Sequence, residues 1–294
     1  MNTDKFLVCL NGRFLYENIY TQDYPLIRNH KKNFEGTDVV QRKYDDISIN
    51  YYSKYNQNGF RCDDFINKHN GKHIVFAGCS ETVGEGSIIE DAWPHMLYNK
   101  ILETENVSGF FSLGIGGGNW SDICSLIMQY IDEYGNPDYL FINFPGMNRL
   151  SQYIDKNSPY NVETSGVYRY SLHDKEDVYK NSSVQNIGTT NFDLDEQAYI
   201  SFSIYIRLFE RFCKQNNIKL FWGTWCEGLT EKIDRGFVEY NDFVRICPNE
   251  MSLAELCLSD KNLNLEKPDG HLGTAYHKNW SNVFYKHYKG EVNE

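Results

Sequence analysis

Residues 119–144, NWSDICSLIMQYIDEYGNPDYLFINF, constrain the fold more than any other stretch of the chain. Ile123, Leu126, Ile127, Tyr130, Ile131 and Tyr134 recur at i, i+3, i+4, i+7, i+8 and i+11, the spacing of one apolar helix face. Ser121 stands where an N-cap is expected and Gly135 where the helix should stop, and Pro137 blocks its continuation. The apolar run Tyr139–Phe144 then predicts a strand. A helix feeding directly into a continuous apolar strand is one half of a β-α-β unit.

The same alternation recurs along the chain. Ile74–Ala77 is a short apolar strand, followed by a helix in DAWPHMLYNKILE that puts Trp93, Met96, Leu97 and Ile101 on one face, with Asp91 near its start. Val107–Leu113 reads as a second strand that runs into the glycine loop at 114–118. Further on, EQAYISFSIYIRLFERFCKQNNIKLFWGTW gives a long helix, a turn at Asn216–Asn217 and a strand over Ile218–Trp222. TAYHKNWSNVFYKHY predicts a terminal helix. Continuous apolar strands separated by helices imply an α/β fold with a parallel sheet covered on both faces. The core of this reading spans 73–294. Residues 1–72, rich in Tyr, Asn and charge with weak periodicity, read as an irregular N-terminal extension packed on the domain. Residues 151–192, polar and rich in Tyr, Ser and Asn, read as an insertion.

Composition sets outer bounds on function. With 41% hydrophobic and 15% aromatic residues, the 294-residue chain can bury a substantial core. A formal charge of −11 argues against a nucleic-acid partner, which calls for clustered Lys and Arg. No apolar stretch approaches the roughly 18 residues that span a bilayer, and the N-terminus shows no signal peptide. The eight cysteines are scattered and form no C-x-x-C, which reads as buried thiols in a reducing compartment and predicts a cytoplasmic protein without a zinc site.

Chemistry concentrates where strands end, because ligands of parallel sheets bind outside the carboxyl ends of the strands. In HIVFAGCSETVGEG, residues 73–86, the first core strand stops at Gly78-Cys79-Ser80. This is either an ordinary strand-to-loop junction or a serine nucleophile held at the strand end. A nucleophile needs a base, an orienting carboxylate and donors for an oxyanion. KPDGHLGTAYH supplies Asp269 and His271, close enough in sequence to share one loop, although Pro-Asp-Gly is also common turn chemistry. GIGGGNW can present backbone N–H groups to an anion or form a tight packing turn. It is not a dinucleotide fingerprint, since Asn119 occupies the final glycine position. Thr82 stands where the nucleophile elbow G-x-S-x-G requires glycine, so the α/β-hydrolase class is disfavoured.

Taken in order, these segments resemble the SGNH (GDSL-type) hydrolases. Gly78-Cys79-Ser80 is similar to the family's first block, and GCSETVGEG followed by AWPHML resembles variants from phages and uncultured bacteria. Gly117 matches the second block, Gly146-Met147-Asn148 the third, and Asp269 with His271 the last. Cys79 replaces the family's Asp, Arg149 follows Asn148 where Asp is usual, and the Asp–His spacing is one residue shorter than usual. The resemblance implies a flavodoxin-like three-layer α/β sandwich and a serine esterase that works through an acyl-serine intermediate. It assigns Ser80, His271 and Asp269 to the catalytic triad, and the Ser80 and Gly117 N–H groups with the Asn148 amide to the oxyanion hole. Asn119 is the rival for that last role, unless it caps the following helix. His277, inside the terminal helix, is expected to be dispensable. No metal or organic cofactor is implied. The expected substrate is a small-molecule or carbohydrate ester, with small acyl groups on a carbohydrate the first expectation. The alternative is a catalytically inactive carbohydrate-binding or virion-associated protein with the same fold.

Overall fold

The computed structural model describes residues 37–44, 47–56, 58–85, 87–146, 149–154, 166–171, 194–226, 229–230, 233, 240, 242–246 and 271–291. In chain order its strands are β1 Thr37–Tyr44, β2 Ile47–Lys54, β3 Ile74–Gly78, β4 Phe111–Gly114, β5 Tyr139–Phe144, β6 Arg149–Ile154, β7 Gly166–Ser171 and β8 Lys219–Thr224. Its helices are α1 Ser80–Val83, α2 Trp93–Leu102, α3 Trp120–Tyr134, α4 Leu194–Gln215 and α5 Thr274–Lys289.

The four apolar runs become one parallel sheet of order β4-β3-β5-β8. This is the expected α/β architecture, in the strand order of flavodoxin-like folds. The chain passes from β3 outward to β4 and then returns across β3 to β5, so the topological switch point lies at the carboxyl end of β3. Phe76, Phe141 and Phe221 align in register across three strands and stack at ring separations of 5.6 and 5.0 Å. Trp93 of α2 and Phe284 of α5 cover that face and stack on each other at 5.2 Å. On the other face Phe144 and Trp222 meet Phe202 of α4, which also touches Trp120 of α3. Burying each such ring contributes roughly 1.5–3 kcal/mol, more than any single polar contact in the sheet.

Most element boundaries follow the sequence pattern, and the exceptions have local causes. The N-cap of α3 is Asn119, not Ser121: the Asn119 Oδ1 accepts from the Asp122 N–H at 2.9 Å, and Asp122 completes a capping box. The Ser121 hydroxyl donates to the same Oδ1. β4 starts at Phe111 and not at Val107, because the preceding backbone is bound to residues 63–72. Phe110 N–H donates to Asp63 Oδ2, Ser108 Oγ exchanges hydrogen bonds with Gly71, and Val107 makes only an isolated bridge to Lys72. β8 runs to Thr224, since Gly223 and Thr224 still pair with Asn143 and Phe144. Asn217 ends α4 with φ 57, the left-handed conformation that asparagine tolerates.

The region read as an irregular extension contains an antiparallel hairpin, β1-β2. Residues 58–72 then run to the sheet, and Phe60 and Phe65 are buried in its core. In the 151–192 segment, β6 and β7 pair antiparallel over the described residues. No helix among the described residues is long and apolar enough to cross a membrane.

Candidate active site

The site begins with a close approach that only glycine allows. Gly78 closes β3 at φ +157, and a Cβ there would lie 2.0 Å from Thr82 Oγ1 and 2.6 Å from the Asn143 carbonyl oxygen. With that room free, the chain turns within one residue, Cys79 becomes the N-cap, and Ser80 opens α1. Gly84, left-handed at φ 72, ends this four-residue helix. Ser80 therefore stands at the carboxyl end of β3, at the switch point, 5% exposed.

Three neighbours fix α1. Gly114 at the end of β4 presses on it so closely that a Cβ would meet the Val83 nitrogen at 2.7 Å. The Ile115 N–H donates to the Gly78 carbonyl at 2.9 Å, which seats the glycine loop beside the strand end. Gly117 in that loop is left-handed at φ 66. On the far side, buried Arg61 donates from Nη1 to the Gly84 carbonyl at 2.9 Å and from Nη2 to the Ser87 carbonyl at 2.8 Å. A cation on the terminal carbonyls of a helix is favourable even in one short turn. Thr82 Oγ1 accepts from the Trp93 indole N–H at 3.2 Å, which ties α1 to α2. Cys79, where the SGNH pattern has Asp, is buried and receives the Trp225 indole N–H at 3.3 Å.

The C-terminal segment comes back to the same helix. The His271 Nε2 lies 3.5 Å from Glu85 Oε2, and the Glu85 N–H donates to the Ser80 carbonyl at 3.1 Å. The Leu272 N–H donates to Glu81 Oε1 at 3.2 Å. The other oxygen, Glu81 Oε2, lies 3.5 Å from Nε2 of fully buried His277. His277 Nδ1 accepts the Trp93 backbone N–H at 3.2 Å, so its ring proton sits on Nε2, facing the carboxylate. Burial acts to push the Glu81 carboxyl up. His277, then His271 and the Leu272 N–H, outweigh it and hold the group below the usual carboxylate range.

Of the residues expected from sequence, Ser80, the 114–118 loop and His271 meet around α1. Asp269 and Asn148 lie outside the described residues. Asn119 is 2% exposed, with its Oδ1 committed to capping α3. His277 is not an idle residue of the terminal helix: it joins α5 to Trp93 and Glu81. Glu81, Glu85 and Arg61 escaped the sequence reading, and His277 was weighed there only as a dispensable histidine. Glu81 had one visible signal, an acidic residue directly after the strand-ending serine. Among the described residues, no group of three or more His, Cys, Asp or Glu side chains is placed to hold a metal ion. Compared with protein-family models and with curated proteins, the sequence matches none.

Proposed function

We propose that the protein is an SGNH-type serine esterase that hydrolyses an oxygen ester through an acyl-serine intermediate. The observation that carries this reading is the seating of the His271 segment against α1, the short helix that Ser80 opens at the switch point of the sheet. In the proposed reaction His271 takes the Ser80 proton as Oγ attacks the ester carbon. The N–H groups of Ser80 and Gly117, with the Asn148 amide, hold the oxyanion of the tetrahedral intermediate. Its collapse expels the alcohol, which receives the proton from His271 and leaves an acyl-Ser80. Water activated by His271 then releases the acid and restores the serine. Asp269 orients His271. The substrate class we propose is a carbohydrate bearing small acyl groups, and half-buried Trp225, bonded to Cys79, places an aromatic ring at this strand end.

The test is labelling with a fluorophosphonate serine probe, mapped by mass spectrometry, beside hydrolysis of a short acyl ester. Wild type should be labelled at Ser80. Ser80→Ala should lose the label and roughly 10³-fold or more in turnover while keeping its melting temperature. A chain that is folded, unlabelled and inert belongs to the binding-protein alternative.

A further inference from the structure

A buried carboxylate next to the serine is an expensive feature, and neither strand nor helix formation requires it. Glu81 is 5% exposed, and its two oxygens are used in different directions. One accepts the Leu272 N–H at 3.2 Å, across 191 residues of chain. The other faces His277 at 3.5 Å. His277 is itself fixed from behind by the Trp93 N–H. The result is a relay of contacts from the first residue of α2 through α5 and α1 to the loop that carries His271. An apolar residue here would leave the Leu272 N–H and the His277 ring N–H buried without an acceptor, but a neutral acceptor could serve the Leu272 N–H, so that contact alone does not call for a full charge.

We propose that Glu81, seated on His277, is a positioning residue. It holds residues 271–272 against the end of β3 and supplies the negative charge that favours the His271 imidazolium formed when Ser80 gives up its proton. This rests on the esterase reading above. The chemistry is that of a carboxylate acting on a general base without touching the substrate. Oε1 fixes where the loop lies, and the carboxylate charge sets how readily the imidazole holds its proton. Among the described residues, the acidic groups near His271 include Glu85, at 3.5 Å, and Glu81, whose carboxylate accepts the adjacent Leu272 N–H, with His277 of α5 behind Glu81. Electrostatic coupling between Glu81 and His271 lowers the Glu81 carboxyl, and by reciprocity it stabilises the imidazolium.

Glu81→Gln keeps an oxygen for the Leu272 N–H and removes the charge. The titration midpoint of His271, followed by NMR of ring-labelled histidine and assigned with His271→Gln, should fall by on the order of 0.5–1 pH unit. The rising limb of kcat against pH should move by the same amount, with KM little changed. Glu85→Gln should move the midpoint in the same direction, since it removes the nearer charge. Should Glu81→Gln fail to fold because His277 is left with an unmatched donor, the double variant Glu81→Gln/His277→Gln provides the same readout. A folded variant whose His271 midpoint and pH profile match wild type, in an enzyme still labelled at Ser80, overturns the positioning role alone. An unlabelled wild type overturns the esterase reading and Glu81's part in it.

Discussion

Gly78 shows how much of the site depends on a missing side chain. A Cβ at this position would overlap Thr82 Oγ1 and crowd the Asn143 carbonyl, on a backbone that L residues rarely adopt. Gly135 also has a positive φ, 87, but nothing lies within 4 Å of its Cβ position. The two glycines separate conformational strain from steric exclusion. Gly135→Ala should cost on the order of 1–2 kcal/mol, the strain of an alanine held at φ 87 and ψ 172. Gly78→Ala should cost more, at least about 2–3 kcal/mol, because α1 must also move. Urea denaturation of both variants checks this, and equal losses would mean that the close approach at Gly78 is unimportant. Ser80 and His271 could be picked out of the sequence as candidates because one follows a strand that stops short and the other a Pro-Asp-Gly segment. Glu81, Arg61 and His277 could not, because their roles exist only through contacts with residues far along the chain: Val83 to Ser87 for Arg61, Leu272 and His277 for Glu81.

At the scale of elements, α3 carries the sharpest local prediction. The Asn119 Oδ1 satisfies the Asp122 N–H, one of the donors a helix start leaves open, and Ser121 only adds a hydroxyl contact to the same oxygen. Asn119→Ala should therefore lower stability by about 1 kcal/mol, and Ser121→Ala by clearly less. Turnover of a folded Asn119→Ala should stay near wild type, since the residue serves the helix. Thermal melting and ester hydrolysis on the same samples test both statements. The sequence placed β5 without error and the start of α3 to within two residues, because β5 is apolar on both faces and α3 carries one unbroken apolar stripe. It overran β4, because nothing near Val107 reveals that Lys72 claims the Ser108 N–H and Asp63 both backbone groups of Phe110. Ser121 looked like the cap because serine is a common one. Asn119 is the cap because it stands three residues before Asp122, and that spacing closes the reciprocal pair.

For the whole molecule, two buried titratable groups shape stability against pH in opposite directions. His73 is 3% exposed, bonded to the Tyr130 hydroxyl at 2.8 Å and stacked on His69. Burial first, and then its His69 neighbour, lower its pKa from the usual 6.5 to about 4. The unfolded chain takes up this proton first, so the contribution of His73 is intact above about pH 6.5 and is lost as pH falls toward 4. The loss reaches at most about 3 kcal/mol. Asp242 is half-buried, and burial followed by repulsion from Glu210 raises it to about 6. Its contribution is present below the unfolded value near 3.8 and disappears as pH rises through 6. Between pH 4 and 6 the two partly cancel. In His73→Gln the acid limb of the stability curve should shift to lower pH. In Asp242→Asn, which keeps the N–H bond to Glu210, the curve should gain stability above pH 6 relative to wild type. Denaturant midpoints at pH steps from 4 to 8 would show both, and parallel curves for all three proteins would refute the assignment.

The strand that carries Ser80 is the first of the sheet, yet both its neighbours and the loop that meets its helix come later in the chain. During synthesis at about 5–20 residues per second, some 10–40 s separate the making of Glu81 from the making of Leu272. Within that interval β4 and β5 are made and can pair with β3, but His271 and His277 do not yet exist. The contacts of Leu272 with Glu81 and of His277 with Glu81 thus form only once the last helix has been made and docked. A nascent chain stalled before residue 271 would lack both the Leu272 contact to Glu81 and the Phe284 ring that covers Phe141 of the sheet.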